Sequence, residues 1–258
     1  RGGGPQPGGS GVSQYARLAD YYDRLIEPAV YPRFADRICA LLEKQGIREG
    51  LVLDLCCGTG SLTRELSLRG YEMIGCDLSP EMLEMAREKC AGLPVPPVWI
   101  CQDAAELDLY GTVRAAVCCL DSVNYLTDLR QLRRAFARVS LFLEPGGLFL
   151  FDVRSRGLFQ ELSGSASVQE EADFYCVWEY GFDPKSGRGQ HQIDLFLKKK
   201  TGDYARVTEL HQQRWYSIDI LRDALERAGL RPVGVYHGLS GKKTREEQGR
   251  LFFAAEKK

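Results

Sequence analysis

The run VLDLCCGTG at Val52–Gly60 limits what this chain can fold into more than any other stretch. Val52, Leu53 and Leu55 are apolar and surround one acid, Asp54. Gly58 and Gly60 then arrive at alternate positions, and an apolar helical pattern, SLTRELSLRG, follows at once. That order predicts a buried strand, a tight turn and a helix start. Glycines at such a turn let a ligand come close to the backbone, and the helix N-terminus offers free N–H groups.

Composition sets the outer bounds. The 258 residues suffice for one large α/β domain, or one domain with an elaboration. A hydrophobic content of 44% allows a sizeable core and excludes wholesale disorder. A formal net charge of −1, from 34 basic and 35 acidic residues, argues against a strongly basic nucleic-acid binder. No apolar run approaches a membrane span, and the N-terminus has no apolar signal-peptide core. Nine cysteines, most inside apolar strand-like runs, lack the spacing of a zinc site. They read as free, buried thiols of a cytoplasmic protein, with no metal. A monomer or a homodimer is expected.

Residues 1–11 are rich in glycine and proline and predict a disordered tail. Helical spacing predicts helices over Ser13–Leu25 and Pro32–Lys44. Strand and helix then alternate. Strands are expected at Leu51–Leu55, Tyr71–Cys76, Pro97–Cys101, Val113–Leu120 and Leu148–Phe151, and helices at Ser61–Arg69, from Ser79-Pro80 onward, and at Asp128–Leu143. Near-continuous apolar strands imply a parallel sheet covered on both faces, with ligands beyond the strand C-termini where strand order reverses. After Asp152 the rhythm changes. Phe174–Phe182 and His191–Leu197 alternate strictly, and Tyr204–Tyr216 is a third extended stretch. This predicts an antiparallel three-stranded insertion. The α/β pattern resumes with a helix capped by Ser217 and strands at Pro232–His237 and Arg250–Glu256.

Dinucleotides and S-adenosyl-L-methionine (SAM) both bind such a glycine turn. The dinucleotide fingerprint asks for a third glycine where this chain has Thr63. Asp54 suits a ligand that carries an ammonium and a sulfonium. Asp77 ends the second strand, where an acid can accept two hydrogen bonds from a ribose cis-diol. Gln102-Asp103 ends the third, where the Asp103 carboxylate would accept from an adenine amino group and the Ala104 N–H would donate to a ring nitrogen. Leu78 and Met82 would pack on the adenine faces. The set points to an adenosine bearing positive charge.

These residues resemble a class I SAM-dependent methyltransferase, from about Tyr15 to the end of the chain. VLDLCCGTG resembles motif I of that family, GCDLSPEML the segment after it, CQDA motif II/III, CCLDSVNYL motif IV, and LEPGGLFLFD the fifth-strand signature. More narrowly, YYDRLI, DSVNYL and ELHQQRWY resemble the bacterial YqeM-like subgroup. The resemblance implies a Rossmann-like α/β fold: a seven-stranded sheet with its last strand antiparallel and helices on both faces. It also implies an antiparallel β cap inserted after the fifth strand. The SAM-binding domain would span 12–153 and 217–258, with residues 154–216 as the cap over the acceptor site. It places the first helix over the donor, with the Tyr15 and Tyr22 hydroxyls near the sulfonium or carboxylate, and the Leu120 carbonyl against the ammonium. Family members often have glycine at the position of Cys56, so cysteine narrows the room for the methionine end.

Methyl transfer from a sulfonium needs alignment, water exclusion and sometimes a base. His211, on the third cap strand, is a candidate base toward an N or O nucleophile, or else a solvated strand residue. Tyr22 is a second catalytic candidate. Asp121, Asn124 and Tyr125, after the fourth strand, are acceptor-side candidates with ordinary loop capping as the plainer role, and Asn124 also counts toward the donor. Trp178 and Arg214 are acceptor-side candidates from the cap. Arg154 and Arg156 would attract an anionic acceptor. The expected activity is methylation of a small molecule. Alternatives are RNA or protein methylation, an NAD(P)-linked oxidoreductase, and a catalytically inactive SAM-binding interaction module.

Overall fold

A computed structural model describes residues 19–27, 29–245 and 247–258, with the side chains of the first segment described from Tyr21 on. The expected tail and Tyr15 lie outside the described residues. The chain opens with α1 (Ala19–Leu25) and α2 (Val30–Lys44). There follow β1 (Leu51–Leu55), α3 (Ser61–Ser67), β2 (Glu72–Asp77), α4 (Pro80–Cys90) and β3 (Val98–Cys101). Next come β4 (Val113–Cys118), α5 (Leu129–Phe142), β5 (Leu143–Arg154) and α6 (Arg156–Leu162). The cap strands are β6 (Ala166–Glu170), β7 (Phe174–Asp183), β8 (Arg188–Lys198) and β9 (Tyr204–Arg214). The chain closes with α7 (Ile218–Arg227), β10 (Leu230–His237) and β11 (Arg250–Lys257).

The main sheet has seven strands in the order β10-β11-β5-β4-β1-β2-β3. β1 pairs in parallel with both β2 and β4, and β11 is antiparallel to its neighbours β5 and β10. The apolar strands explain this. In β4, Ala116 and Cys118 face one core with Phe136 of α5 and Leu221 of α7. Ala115 and Val117 face the other, with Phe34 and Ile38 of α2 and Leu62 of α3. Successive side chains are buried on opposite faces, so the sheet must be covered twice. Strand order reverses between β1 and β4, and the loops after these two strands frame the crevice.

Two expectations need correction. The cap sheet has four strands, not three, in the order β6-β7-β8-β9. β6 (ASVQE) is largely exposed and carries no apolar alternation, so its sequence has no strand signal. The fifth strand begins at Leu143 rather than Leu148. Leu143 already pairs with Val113, and the register shifts across Pro145-Gly146-Gly147 before Leu148 pairs with Ala115. The expected breaker is therefore an irregularity inside a strand.

Helix α1 ties the two sheets together. Tyr21, Tyr22 and Leu25 pack on the apolar end of the cap, against Phe174, Cys176, Ile193 and Leu195. Arg24 donates to both carboxylate oxygens of Asp173, at 2.9 and 2.6 Å. On the opposite side, Asp23 accepts from the Thr59 hydroxyl at 2.6 Å and lies 2.5 Å from Lys89. Among the described residues, no helix is long and apolar enough to cross a membrane.

Candidate active site

A cavity of about 440 Å³ lies where the glycine turn, the loop after β4, α1 and the cap meet. Its floor is built by backbone groups. Asp77, at the end of β2, accepts from the Gly58 N–H at 2.8 Å and from the Ser79 N–H at 2.9 Å. Burial pushes the Asp77 carboxyl above its ordinary pKa. Ser79 caps α4 through the Met82 N–H, with Pro80 at the first helical position. Leu78 leaves an apolar side chain 64% exposed at the cavity edge, and Met82 is buried beside it. Gln102, Asp103 and Ala104 line the same end. Gln102 braces its loop by accepting from the Asp108 N–H at 2.9 Å, and Asp103 accepts from the Ala105 N–H at 2.8 Å.

The two glycines of the turn do different work. A side chain at Gly58 would enter open space, and Gly58 lines the cavity. A Cβ at Gly60 would sit 2.7 Å from the Trp99 ring and 2.8 Å from Ala86, so Gly60 serves packing and is off the lining. Both have positive φ, as does Cys56 at 59°. Cys56 thus holds a left-handed conformation that glycine adopts without strain. Asp54 also lies off the lining, buried beneath the turn. It accepts from the Thr63 hydroxyl at 2.6 Å, and burial raises its pKa to about 7. Thr63 stands where the dinucleotide fingerprint wants glycine, and it is spent on Asp54.

The opposite wall has side-chain architecture. Leu120 (φ 59°) and Asp121 (φ 64°) are both left-handed. Asp152 of β5 holds this strained pair, accepting from the Leu120 N–H at 2.7 Å and the Asp121 N–H at 3.2 Å. Arg250 of β11 pairs with Asp121 and Asp152, and Arg154 donates to Asp121 at 2.6 Å. Burial raises Asp121, but the two guanidiniums outweigh it and hold the carboxyl below its ordinary range. Burial dominates at Asp152, against Arg250, and its pKa rises to about 6.

His211 is 1% exposed, which removes the solvated alternative. Its Nε2 is 3.0 Å from the Glu209 carboxylate, and its Nδ1 is 3.0 Å from the Tyr125 hydroxyl. A carboxylate only accepts, so Nε2 carries the proton. In the neutral ring Nδ1 then accepts from Tyr125. Directly opposite in the cap register is His191, also buried. Arg154 donates to its Nε2 at 2.9 Å. Burial first, then the Arg154 charge, lowers the His191 pKa to about 3, so this ring stays neutral. Trp178, Tyr125, His211 and Tyr22 all line the cavity. Burial pushes the Tyr22 phenol well above its ordinary pKa.

Asn124 and Arg214 lie off the lining. The Asn124 amide donates to the Arg214 carbonyl and accepts from the Arg154 N–H, both at 2.9 Å. Arg214 donates to the Thr127 carbonyl at 3.1 Å and stacks over Tyr216. Both fasten the cap to the loop after β4. Arg156 lies over Trp215, away from the cavity. The sequence reading missed Glu209, His191, Gln213 and Arg250 as lining or supporting groups. Strict alternation was the available signal: Glu209, His211 and Gln213 share one face of β9, and register brings His191 to the same face.

Residues 52–147 match a methyltransferase domain family model. The chain is 30% identical over 245 residues to the Bacillus subtilis (strain 168) protein named "Putative methyltransferase YqeM", covering 94% of this chain and 97% of that one. A similarly named protein of Geobacillus sp. (strain WCH70) is 30% identical over 249 residues, covering 94% and 99%. The crystal structure of a SAM-dependent methyltransferase from Clostridium acetobutylicum superposes with a TM-score of 0.83 at 29% identity, over 95% of this chain and 99% of that one. The fold and these relatives define a SAM-dependent methyltransferase with the Rossmann-like class I sheet. Within that class, the chain belongs to the YqeM-like family.

Proposed function

We propose that the chain transfers the methyl group of SAM to a protic nitrogen or oxygen of a small molecule held beneath the cap, residues 154–216. One observation carries the reading: a single cavity has donor-type groups at one end and a buried tyrosine–histidine–glutamate array at the other. When bound, SAM supplies an activated methyl on a sulfonium leaving group.

The residues present fit SAM. Asp77 keeps acceptor capacity for a ribose diol, because its two oxygens offer about four acceptor positions and the backbone N–H groups of Gly58, Ser79 and Leu78 do not fill them. Leu78 and Met82 offer apolar contact to an adenine, and Asp103 and Ala104 lie at its polar edge. The open space at Gly58 leaves room for the ligand chain, with Cys56 and the Leu120 carbonyl facing its methionine end. Tyr22 keeps its proton and closes the donor from above, excluding water. On the acceptor side, Tyr125 takes the proton of the acceptor N–H or O–H as its own passes to His211 Nδ1. Glu209 stabilises the imidazolium that forms. Arg154 and Asp121 border the acceptor space, Trp178 forms an apolar wall, and Asn124 and Arg214 hold that wall in register.

The position of the cavity beneath the cap and the balanced charge favour a small acceptor over RNA or protein. A screen of cell extract with methyl-labelled SAM tests this. Label should enter the small-molecule fraction with the native chain and not with His211→Ala. Label confined to RNA or protein would overturn the small-molecule reading.

A further inference from the structure

Away from the donor cavity, α2 and the loop between β10 and β11 border a second, open pocket of about 580 Å³. Its charges are unbalanced. Arg33 and Arg37 line it, four residues apart on α2 and therefore on one face. Asp36 also lines it, but that carboxylate is held by Arg69, whose Nη2 donates to it at 2.6 Å and Nε at 3.2 Å. Neither Arg33 nor Arg37 has a carboxylate partner among the described residues. The Arg37 guanidinium lies over the Tyr236 ring, 4.5 Å from its centroid, and its Nε is buried without an acceptor.

The loop GLSGKK, Gly238–Lys243, closes over this guanidinium. The Gly238 N–H donates to the Arg250 carbonyl at 2.7 Å, and the His237 N–H to the Lys242 carbonyl at 2.9 Å. The Ser240 hydroxyl donates to the His237 carbonyl at 2.6 Å. Gly241 (φ +75°) passes so close that a Cβ there would be 3.3 Å from Arg37 Nη1. Exposed Lys242 follows directly. An anion entering the pocket therefore meets two guanidiniums whose charge no carboxylate offsets among the described residues. The planar fork matches phosphate oxygens, and Arg33 supplies a second fork one turn away.

We infer that this pocket binds the phosphate group of a small phosphorylated molecule, at a site separate from the SAM cavity. The formal net charge of −1 gives the chain no broad positive field for a polyanion, so a discrete phosphate suits the pocket better than a nucleic acid.

Calorimetric titration of the full chain with inorganic phosphate and with pyrophosphate, each with and without saturating SAM, tests the inference. Saturable one-to-one binding is expected in both conditions. Arg37→Gln and Arg33→Gln should each weaken it by about tenfold or more, and Arg37→Lys should not restore it, because a point charge lacks the fork. If Arg37→Gln fails to fold, Arg33→Gln alters an exposed side chain and carries the test. No saturation up to about 10 mM, affinity unchanged in these variants, or competition by SAM would overturn the site. Binding confined to a long polyanion such as RNA, with steep salt dependence, would overturn the small-ligand assignment. SAM affinity measured in the same variants reports separately on the methyltransferase reading.

Discussion

The two ends of the central cavity are built by different means. At the donor end, Asp77 is fixed by two backbone amides, Gly58 and Ser79, from a turn and a helix cap next to their own strands. At the acceptor end, Tyr125 meets His211 across 86 residues of sequence, Arg154 meets His191 across 37, and Arg250 meets Asp152 across 98. The first arrangement follows from local chain chemistry. The Tyr125–His211 and Arg154–His191 pairs exist only once the cap has docked, whereas Arg250–Asp152 needs β11 beside β5 in the main sheet. On the function proposed above, donor binding would therefore rest on the sheet, and proton handling on the cap–sheet contact. The two should be separable by mutation.

The sharpest separation is at His211. His211→Ala removes the proposed proton acceptor behind Tyr125 and leaves Asp77 and the glycine turn untouched. Turnover on the acceptor identified by labelling should fall about 10²–10⁴-fold, the usual range for a general base. Turnover equal to the native chain would make the buried array a structural device. A smaller effect is expected at the donor end from Cys56, which holds φ 59°. Cys56→Val puts a β-branched side chain into the left-handed region and should lower stability by about 1–2 kcal/mol in urea unfolding. Cys56→Gly should escape that penalty. Equal losses in both variants would show that the cysteine side chain, not its backbone, matters.

A third effect is a pH slope. Asp54 titrates near 7 in the fold and near 3.9 in an unfolded chain. The folded state therefore holds the proton more tightly. Its contribution favours folding below about pH 4 and is lost as pH rises to about 7. Stability of the native chain should fall relative to Asp54→Asn between pH 5 and pH 8, read as urea midpoints. A constant difference would mean that Asp54 ionises normally beneath the turn.

The same contrast explains what could be read in the sequence. β1 was expected at Leu51–Leu55 and is found there, because apolar residues, one acid and two glycines define strand and turn within a few positions. The Ser79-Pro80 helix start was equally local. The cap was visible as alternation, but β6 was not, since its side chains face solvent. α6 buries Phe159 alone and has too short a stripe to show. The anchoring of Leu120 and Asp121 by Asp152 depends on β4 and β5 lying side by side, and spacing along the chain carries no trace of it. Asn124 and Arg214 were expected at the site because they flank cavity-lining residues. Their bonds to one another's segments emerge only in three dimensions.

The central claim is that donor binding and proton handling are separate. Calorimetric titration of SAM into the native chain, Asp77→Ala and His211→Ala tests it most directly. Asp77→Ala removes two potential hydrogen bonds from a charged group to the ribose, each worth about 1.5–3 kcal/mol, so affinity should drop about tenfold or more. His211→Ala should bind SAM as the native chain does. Unchanged affinity in Asp77→Ala, or an equal loss in both variants, would contradict the account.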